Sequence, residues 1–189
     1  LSGCSGSGMS SYAAISCGNT PGQNVAIAGQ PALQISADSS NPAANQIVMG
    51  STGNSLAAFL FAETSNADSV KITNIRVIDS VNATSTSTGF QNLCFYKGAT
   101  LLGCAGTAGT NGSSTVYSYN FNFTDPVVIS QSGSVVLSLK GDVASFVSSG
   151  AIDNEAHTFK IDTATDSNGV LNATSSLVTA LGVTSNATA

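Results

Sequence analysis

Apolar and polar residues alternate with a period of two along much of this chain. The alternation is clearest in the segment 114–123, STVYSYNFNF, where aromatic residues occupy every second position. Successive residues of a strand point to opposite faces, so the pattern predicts a strand with one buried and one solvated face. The segment holds four of the twelve aromatic residues (eight Phe and four Tyr), and we expect much of the core to pack against it.

Other segments show related patterns that predict further strands. Leu56 to Glu63 is apolar on both faces and indicates a central strand, with a helix as the alternative. The segment 70–78 changes phase at Thr73-Asn74, which indicates a β-bulge. More strands are expected within residues 24–36, 46–49, 127–130, 135–140, 156–162 and 171–189.

The predicted strands define the expected fold class and domain organisation. About nine to eleven short strands without a helix are typical of an all-β, antiparallel β-sandwich of jelly-roll or immunoglobulin-like type. Residues 1–36, rich in Ser and Gly at their start, are expected to form an N-terminal extension. Residues 37–189 are expected to form the sandwich domain.

Four cysteines occur as two close pairs, Cys4 with Cys17 and Cys94 with Cys104. No CxxC motif is present and there is one histidine, which argues against a zinc site. Disulfides persist in oxidising surroundings, so we expect a secreted, extracellular or cell-surface protein.

The second cysteine pair lies in a predicted hairpin, LCFYKGATLLGC at 93–104, that turns at Gly98-Ala99-Thr100. A three-residue turn would place Cys94 opposite Cys104 and Tyr96 opposite Leu102. Directly opposed residues lie within disulfide range.

Charge excludes several partners. Only 8% of the residues are charged, with 5 Lys and Arg against 10 Asp and Glu, for a net charge of −5. Without a basic patch, nucleic acid and anionic membranes are poor partners. No run reaches the ~18 apolar residues of a membrane span. Because few carboxylates can be protonated, we expect the fold to persist in strong acid.

The catalytic inventory is short. His157 is the single histidine and lies in an alternating strand, which favours a core or surface role over catalysis. Asp153 and Glu155 could form a carboxylate pair, although their spacing is more typical of a turn or strand face. The nucleophile motif GxSxG, the phosphate-binding motif GxxxxGKS/T and the zinc-protease motif HExxH are missing. We expect a non-enzymatic protein.

No cofactor is expected. Calcium is the single cofactor for which the sequence groups possible oxygen ligands, and it does so at two places. For the group that ends at Asn168-Gly169, a plain Asn-Gly turn is the favoured interpretation. The two groups are Asp153, Asn154 and Glu155, and Asp162, Asp166 and Asn168. N-linked glycans are expected at the N-x-S/T sequons, with chance composition as the alternative. These sequons begin at Asn82, Asn111, Asn122, Asn172 and Asn186.

The segments ISADSSNPAANQIVMGS, LAAFLFAE, VKITNIRVI and VVLSLKGDV are similar in pattern to β-sandwich domains of secreted surface proteins from archaea and some bacteria. The whole chain resembles a subunit of archaeal thread-type filaments. That resemblance implies that each subunit donates a terminal strand to its neighbour, as in TasA-like and chaperone–usher fibres. The implied partners are identical subunits in a homopolymer, which could in turn contact neighbouring cells or surfaces.

The first-choice donor strand is the segment 24–36, whose apolar residues could fill a groove by β-augmentation. Those residues are Val25, Ile27, Leu33 and Ile35. Pro31 interrupts the segment, and the C-terminal tail is the second choice. A carbohydrate-binding or adhesive domain and an S-layer domain are the alternative functions.

Overall fold

In a computed structural model of the chain, the described residues form ten β-strands in two antiparallel sheets. The structure describes residues 29–82, 89–106, 109–113, 115–146, 151–162 and 178–189, with backbone alone for 109–113. The strands are β1 (Leu33–Ala37), β2 (Asn54–Glu63), β3 (Val70–Val81), β4 (Phe90–Lys97), β5 (Thr100–Cys104), β6 (Gly109–Ser113), β7 (Val116–Ile129), β8 (Ser134–Val143), β9 (His157–Ile161) and β10 (Val178–Gly182). The predicted all-β sandwich is confirmed.

The two sheets have the strand orders β1-β2-β8-β4-β5 and β10-β3-β7-β6, and β9 pairs with β3 beside β10. The connections from β3 to β4 and from β8 to β9 lie at one end of the sandwich, which we call the upper end. The connections from β2 to β3 and from β7 to β8 lie at the opposite, lower end.

The core is built on β7, as its alternating pattern predicts. Tyr117, Tyr119, Phe121 and Phe123 are buried on its inner face. The fully buried ring of Phe95 packs against them, with its centroid 4.7 Å from that of Phe121. Aromatic pairs at such edge-to-face angles stabilise a core beyond the area they bury.

The predicted bulge in β3 is confirmed, and it explains a wrong strand boundary. The register between β3 and β7 shifts between Ile72 and Asn74, so that Ile72 opposes Val127 while Asn74 opposes Asn122. The intervening residues of β7 include Asp125-Pro126, which lie between the strands predicted at 114–123 and 127–130 and would break a regular strand. Because Pro126 lies in this bulge, it does not have to donate a ladder hydrogen bond, and β7 continues to Ile129.

The hairpin of β4 and β5 confirms the Cys94–Cys104 pairing, since a disulfide joins opposed residues. The predicted pairing of Tyr96 with Leu102 is wrong, because the turn holds two residues and a bulge follows Phe95. Tyr96 therefore opposes Leu101. The short strand predicted at 46–49 is also wrong, because these residues form an irregular segment at the upper end.

The N-terminal part of the described chain enters at the lower end. Gly29 lies against Ala67 in the β2–β3 loop, and the Gln30 side chain donates a hydrogen bond to the Thr188 carbonyl. From there β1 runs beside β2, with Leu33 opposite Glu63 and Ala37 opposite Phe59. The expected domain boundary after residue 36 thus falls inside a strand of the sandwich.

Candidate functional site

A cleft of about 920 Å³ opens at the upper end of the sandwich, and we call it the upper cleft. Its walls are the irregular segment 41–49, the start of β2, and the segment 151–159 that leads into β9. β2 and β9 belong to different sheets, so the cleft lies between the two sheets at the upper end of the described structure.

Two strand edges border the upper cleft. β1 pairs with residues 59–63 of β2, so the edge from Asn54 to Ala57 has no strand beside it on that side in the described chain. β9 pairs with β3, and no other described strand pairs with it. Unpaired strand edges present rows of N–H and C=O groups that can accept an added strand.

The walls of the cleft carry apolar side chains that remain in contact with water. Val48 is 75% exposed and Ile152 is 46% exposed. Leu56, Phe90 and Phe159 line the cleft more deeply and also pack against the core. An extended segment with apolar residues could therefore bury them on entering.

A cluster of ionisable side chains, Asp79, Glu155 and His157, lies beside these walls; we call it the His157 cluster. Asp79 is fully buried on β3, and its Oδ2 lies 2.8 Å from His157 Nδ1 on β9. His157 Nε2 lies 3.6 Å from Glu155 Oε2. The His157 ring also meets the Phe90 ring edge-to-face at 4.8 Å.

Burial and mutual attraction set the protonation of this cluster. Burial lowers the pKa of His157, but the hydrogen bond and charge of Asp79, together with Glu155, outweigh that effect, so the pKa lies above its usual value. Burial raises the pKa of Asp79, partly offset by His157. Burial, Glu155 and Asp79 raise the pKa of Tyr117, which opposes Asp79 on β7. A proton is thus held between Asp79 and His157, and the pair titrates as a unit.

Glu155 contrasts with Glu63, the other glutamate of the chain. Its side chain is 3% exposed, and neither carboxylate oxygen accepts a hydrogen bond from a described residue. Glu63, in comparison, accepts hydrogen bonds from the Ser65 hydroxyl and from backbone N–H groups that include Ser132, which lower its pKa to about 2. Glu155 is among the residues that line the upper cleft, and both of its carboxylate oxygens are buried.

The His157 imidazole lies between two carboxylates. Both ring nitrogens of His157 face carboxylates, so the imidazole serves as an ion-pair partner. Asp153 and Asn154 are exposed, and Asp162 forms an ion pair with Arg76 at 3.6 Å, whereas Asp166 and Asn168 of the same oxygen group lie outside the described residues. The described residues contain no group of three or more His, Cys, Asp or Glu side chains placed to hold a metal ion.

Three of the five sequon asparagines lie on the described surface: Asn82, Asn122 and Asn186 are exposed. Asn111 lies in β6, where the structure describes the backbone, and Asn172 lies outside the described residues. Each exposed amide oxygen has a partner: Asn82 accepts from the Ala156 N–H, Asn122 from Asn74, and Asn186 from Lys71.

The expected donor residues divide into two pairs. Leu33 and Ile35 lie in β1 and pack against the core of their own sandwich. Val25 and Ile27 lie outside the described residues, as do Cys4, Cys17, Asp166 and Asn168.

Asp79 is the residue of the site that sequence reasoning missed. A signal for it exists, because beyond the bulge it continues the alternation of Ile75 and Val77 and therefore points into the core. His157 alternates in the same way with Ile161. Because a buried charge needs an oppositely charged or hydrogen-bonding partner, two ionisable residues on inward faces of strands are expected to pair with each other.

Comparisons of the chain with protein-family models, curated proteins and solved structures gave no match. Within the part of the chain that the structure describes, no helix has the length and hydropathy to cross a lipid bilayer.

Proposed function

We propose that this chain is a structural, non-enzymatic subunit of an extracellular filament, in which a terminal segment of one copy inserts as a strand into the upper cleft of the next. Because Leu33 and Ile35 already pair within their own sheet, the inserted residues are Val25 and Ile27, four and two residues before Gly29. The open edges of β2 and β9 supply backbone partners, and the exposed apolar walls supply contacts for the side chains.

One observation supports this proposal above the others: the donor segment joins the sandwich at the lower end, whereas the cleft opens at the upper end. Gly29 lies beside the β2–β3 loop, which follows the end of β2. The cleft lies at the start of β2, about seven residues back along the strand, which is roughly 23 Å at 3.3 Å per residue. A tail at one end and a receptor at the other make a head-to-tail contact between copies. Such a heterologous contact repeats without closing unless the rotation forms a ring.

Two further features support an extracellular setting. The Cys94–Cys104 disulfide is of the kind that persists outside the cytosol. Asn82, Asn122 and Asn186 are exposed, as glycan attachment requires.

The proposal is tested with the double variant Val25→Asp/Ile27→Asp of the full chain, examined by sedimentation velocity and negative-stain electron microscopy. We expect fibres from the parent chain and monomers from this variant, because a charge in the apolar cleft carries a desolvation cost. Ala26→Asp/Ala28→Asp is the matched control, because it adds the same two charges on the opposite face of an inserted strand.

Fibres that persist in the double variant, or a parent chain that yields only monomers, would refute strand donation by this segment. Two-dimensional lattices in the same micrographs would instead support an S-layer domain. Circular dichroism checks that each variant keeps the β-sheet spectrum of the parent chain.

A further inference from the structure

Residues 151–156 line the upper cleft immediately before β9, and we call them the upper flap. Two hydrogen bonds join the last residue of the flap to the residue that follows β3: Asn82 N–H donates to the Ala156 carbonyl at 3.1 Å, and Ala156 N–H donates to Asn82 Oδ1 at 2.9 Å. For residues 151–155, the polar contact with the sandwich among the described residues is the ion pair of Glu155 with His157. The closed position of the flap therefore depends strongly on that ion pair.

Two buried carboxylates share the charge of one imidazolium in the His157 cluster. Asp79 Oδ2 lies 2.8 Å from His157 Nδ1, and Glu155 Oε2 lies 3.6 Å from His157 Nε2. Asp79 Oδ1 and both oxygens of Glu155 are buried and accept no hydrogen bond from a described residue. Each carboxylate therefore depends on protonated His157 to offset the cost of its burial.

Loss of one proton from His157 leaves Glu155 without this partner. An imidazolium donates from both ring nitrogens, whereas a neutral imidazole has one donor and one lone pair. The shorter contact keeps the donor at Nδ1 for Asp79, so that Nε2 presents its lone pair to Glu155. Asp79 is fixed within β3, whereas Glu155 precedes β9 and reaches water when the flap moves away from the sandwich.

The other neighbours of the cluster do not replace the lost positive charge. Tyr117 of β7 opposes Asp79, and its phenol becomes negative on ionisation. Phe90 of β4 contributes an uncharged ring against His157. Lys160 of β9 is exposed, and because it lies three residues after His157 it points to the opposite face of the strand.

We propose that the upper flap is a pH-dependent wall of the upper cleft, held closed while His157 carries its proton and released when that proton is lost. The inference concerns the isolated subunit and does not require strand donation. Burial lowers the pKa of His157, but the hydrogen bond and charge of Asp79, together with Glu155, raise it above its usual value, so release occurs as pH rises through that folded pKa. Ile152, which is 46% exposed, then leaves the cleft with the flap.

The test is amide hydrogen exchange measured by NMR at about pH 6 and about pH 9, with each rate corrected for intrinsic base catalysis. The sample is the full chain carrying Val25→Asp/Ile27→Asp, whose charges prevent assembly through that segment. The reporter is the Ala156 N–H, and the Val183 N–H, which is hydrogen-bonded at the lower end, is the internal reference. Because the chain has one histidine, the ring titration of His157 in the same samples gives the midpoint directly.

We expect the protection of Ala156 to fall about tenfold or more between these pH values, as for loss of one charge-assisted hydrogen bond, while Val183 stays unchanged. The fall should follow the His157 ring titration. Glu155→Gln should reduce the fall to within about threefold, because a neutral amide tolerates neutral His157 and can donate to its Nε2. Asp153→Asn is the matched control, because it makes the same charge change at an exposed position of the flap, and it should leave the fall unaltered.

Protection of Ala156 that changes less than about twofold between the two pH values would overturn the inference, and this result needs no variant at Glu155. An equal loss of protection at Val183 would overturn it as well, because the whole sandwich would then be unfolding. The inference also fails if Glu155→Gln retains the full pH dependence, or if Asp153→Asn abolishes it equally. Fibre formation by the parent chain is scored separately, so strand donation stands or falls independently of these outcomes.

Discussion

Replacing His157 by Leu removes the partner of the most deeply buried carboxylate in the described structure. Asp79 has no exposed surface, and the His157 side chain is 12% exposed, with 2.8 Å between Oδ2 and Nδ1. Breaking a buried pair by removing one member costs about 3–5 kcal/mol, because the remaining charge is uncompensated. Asp79 can relieve part of this cost by taking up a proton, so we expect about 3 kcal/mol at pH 7 and less in acid.

The pH dependence distinguishes this ion pair from ordinary packing. The pKa of folded His157 lies above its unfolded value, so its stabilising contribution is fully present below about pH 6.5 and is lost as pH rises through the folded pKa. The assay is urea unfolding, followed by circular dichroism, between pH 5 and pH 9. The parent chain should lose stability as pH rises from about 6.5 through the folded pKa of His157, and His157→Leu should lack that component of the loss. A variant within about 1 kcal/mol of the parent at pH 7, or one with the same alkaline loss, would refute the reasoning.

Two other predictions concern acid resistance and the hairpin. The folded pKa of Glu63 is about 2, so the stability that its ionised carboxylate contributes is present above the unfolded pKa near 4.5 and is lost as pH falls through about 2. Glu63→Gln should therefore unfold at higher pH than the parent in an acid titration followed by circular dichroism. An unchanged midpoint would contradict this prediction. Joint replacement of Cys94 and Cys104 by Ser should cost about 2–3 kcal/mol in chemical unfolding, since the disulfide closes a loop of sequence separation 10, and a loss below about 1 kcal/mol would contradict the chain-entropy estimate.

These titrations together define a stability optimum in weak acid. Hydrogen bonds from Ser40 lower the pKa of Asp38, and those from Ser185 and Thr184 lower the pKa of Asp68, so both act as Glu63 does. Stability then rises with pH up to the unfolded pKa of these carboxylates and falls again as the Asp79–His157 proton is lost. Because these carboxylates lose their stabilising contribution as pH falls, they act against the persistence in strong acid that the composition predicts, and that expectation stays a prediction until the titration is done.

Local patterns carried the sequence-based prediction of the fold. The faces of β7 follow from strict alternation, and the Cys94–Cys104 pairing follows from a short hairpin whose two strands are adjacent in sequence. Errors arose where pairing changes the local register. The sequence alone predicts a strand end before Pro126, because the bulge that accommodates this proline depends on β3, more than forty residues earlier.

The upper cleft depends on contacts that sequence patterns express weakly. Asp79 and His157 are separated by 78 residues and meet because β9 pairs with β3. Glu155 lies just outside β9, and its burial depends on how the segment 151–156 folds over the end of the sandwich. Alternation places Asp79 and His157 on inward faces, but it cannot place an irregular segment.

The central claim is that a segment of one copy fills the upper cleft of another, and a cryo-electron microscopy map of the assembled protein tests it most directly. The account predicts extended density in the cleft, between the open edges of β2 and β9, that continues to Gly29 of the neighbouring copy. Density that traces back to the same copy, or fibres whose cleft is empty, would contradict it.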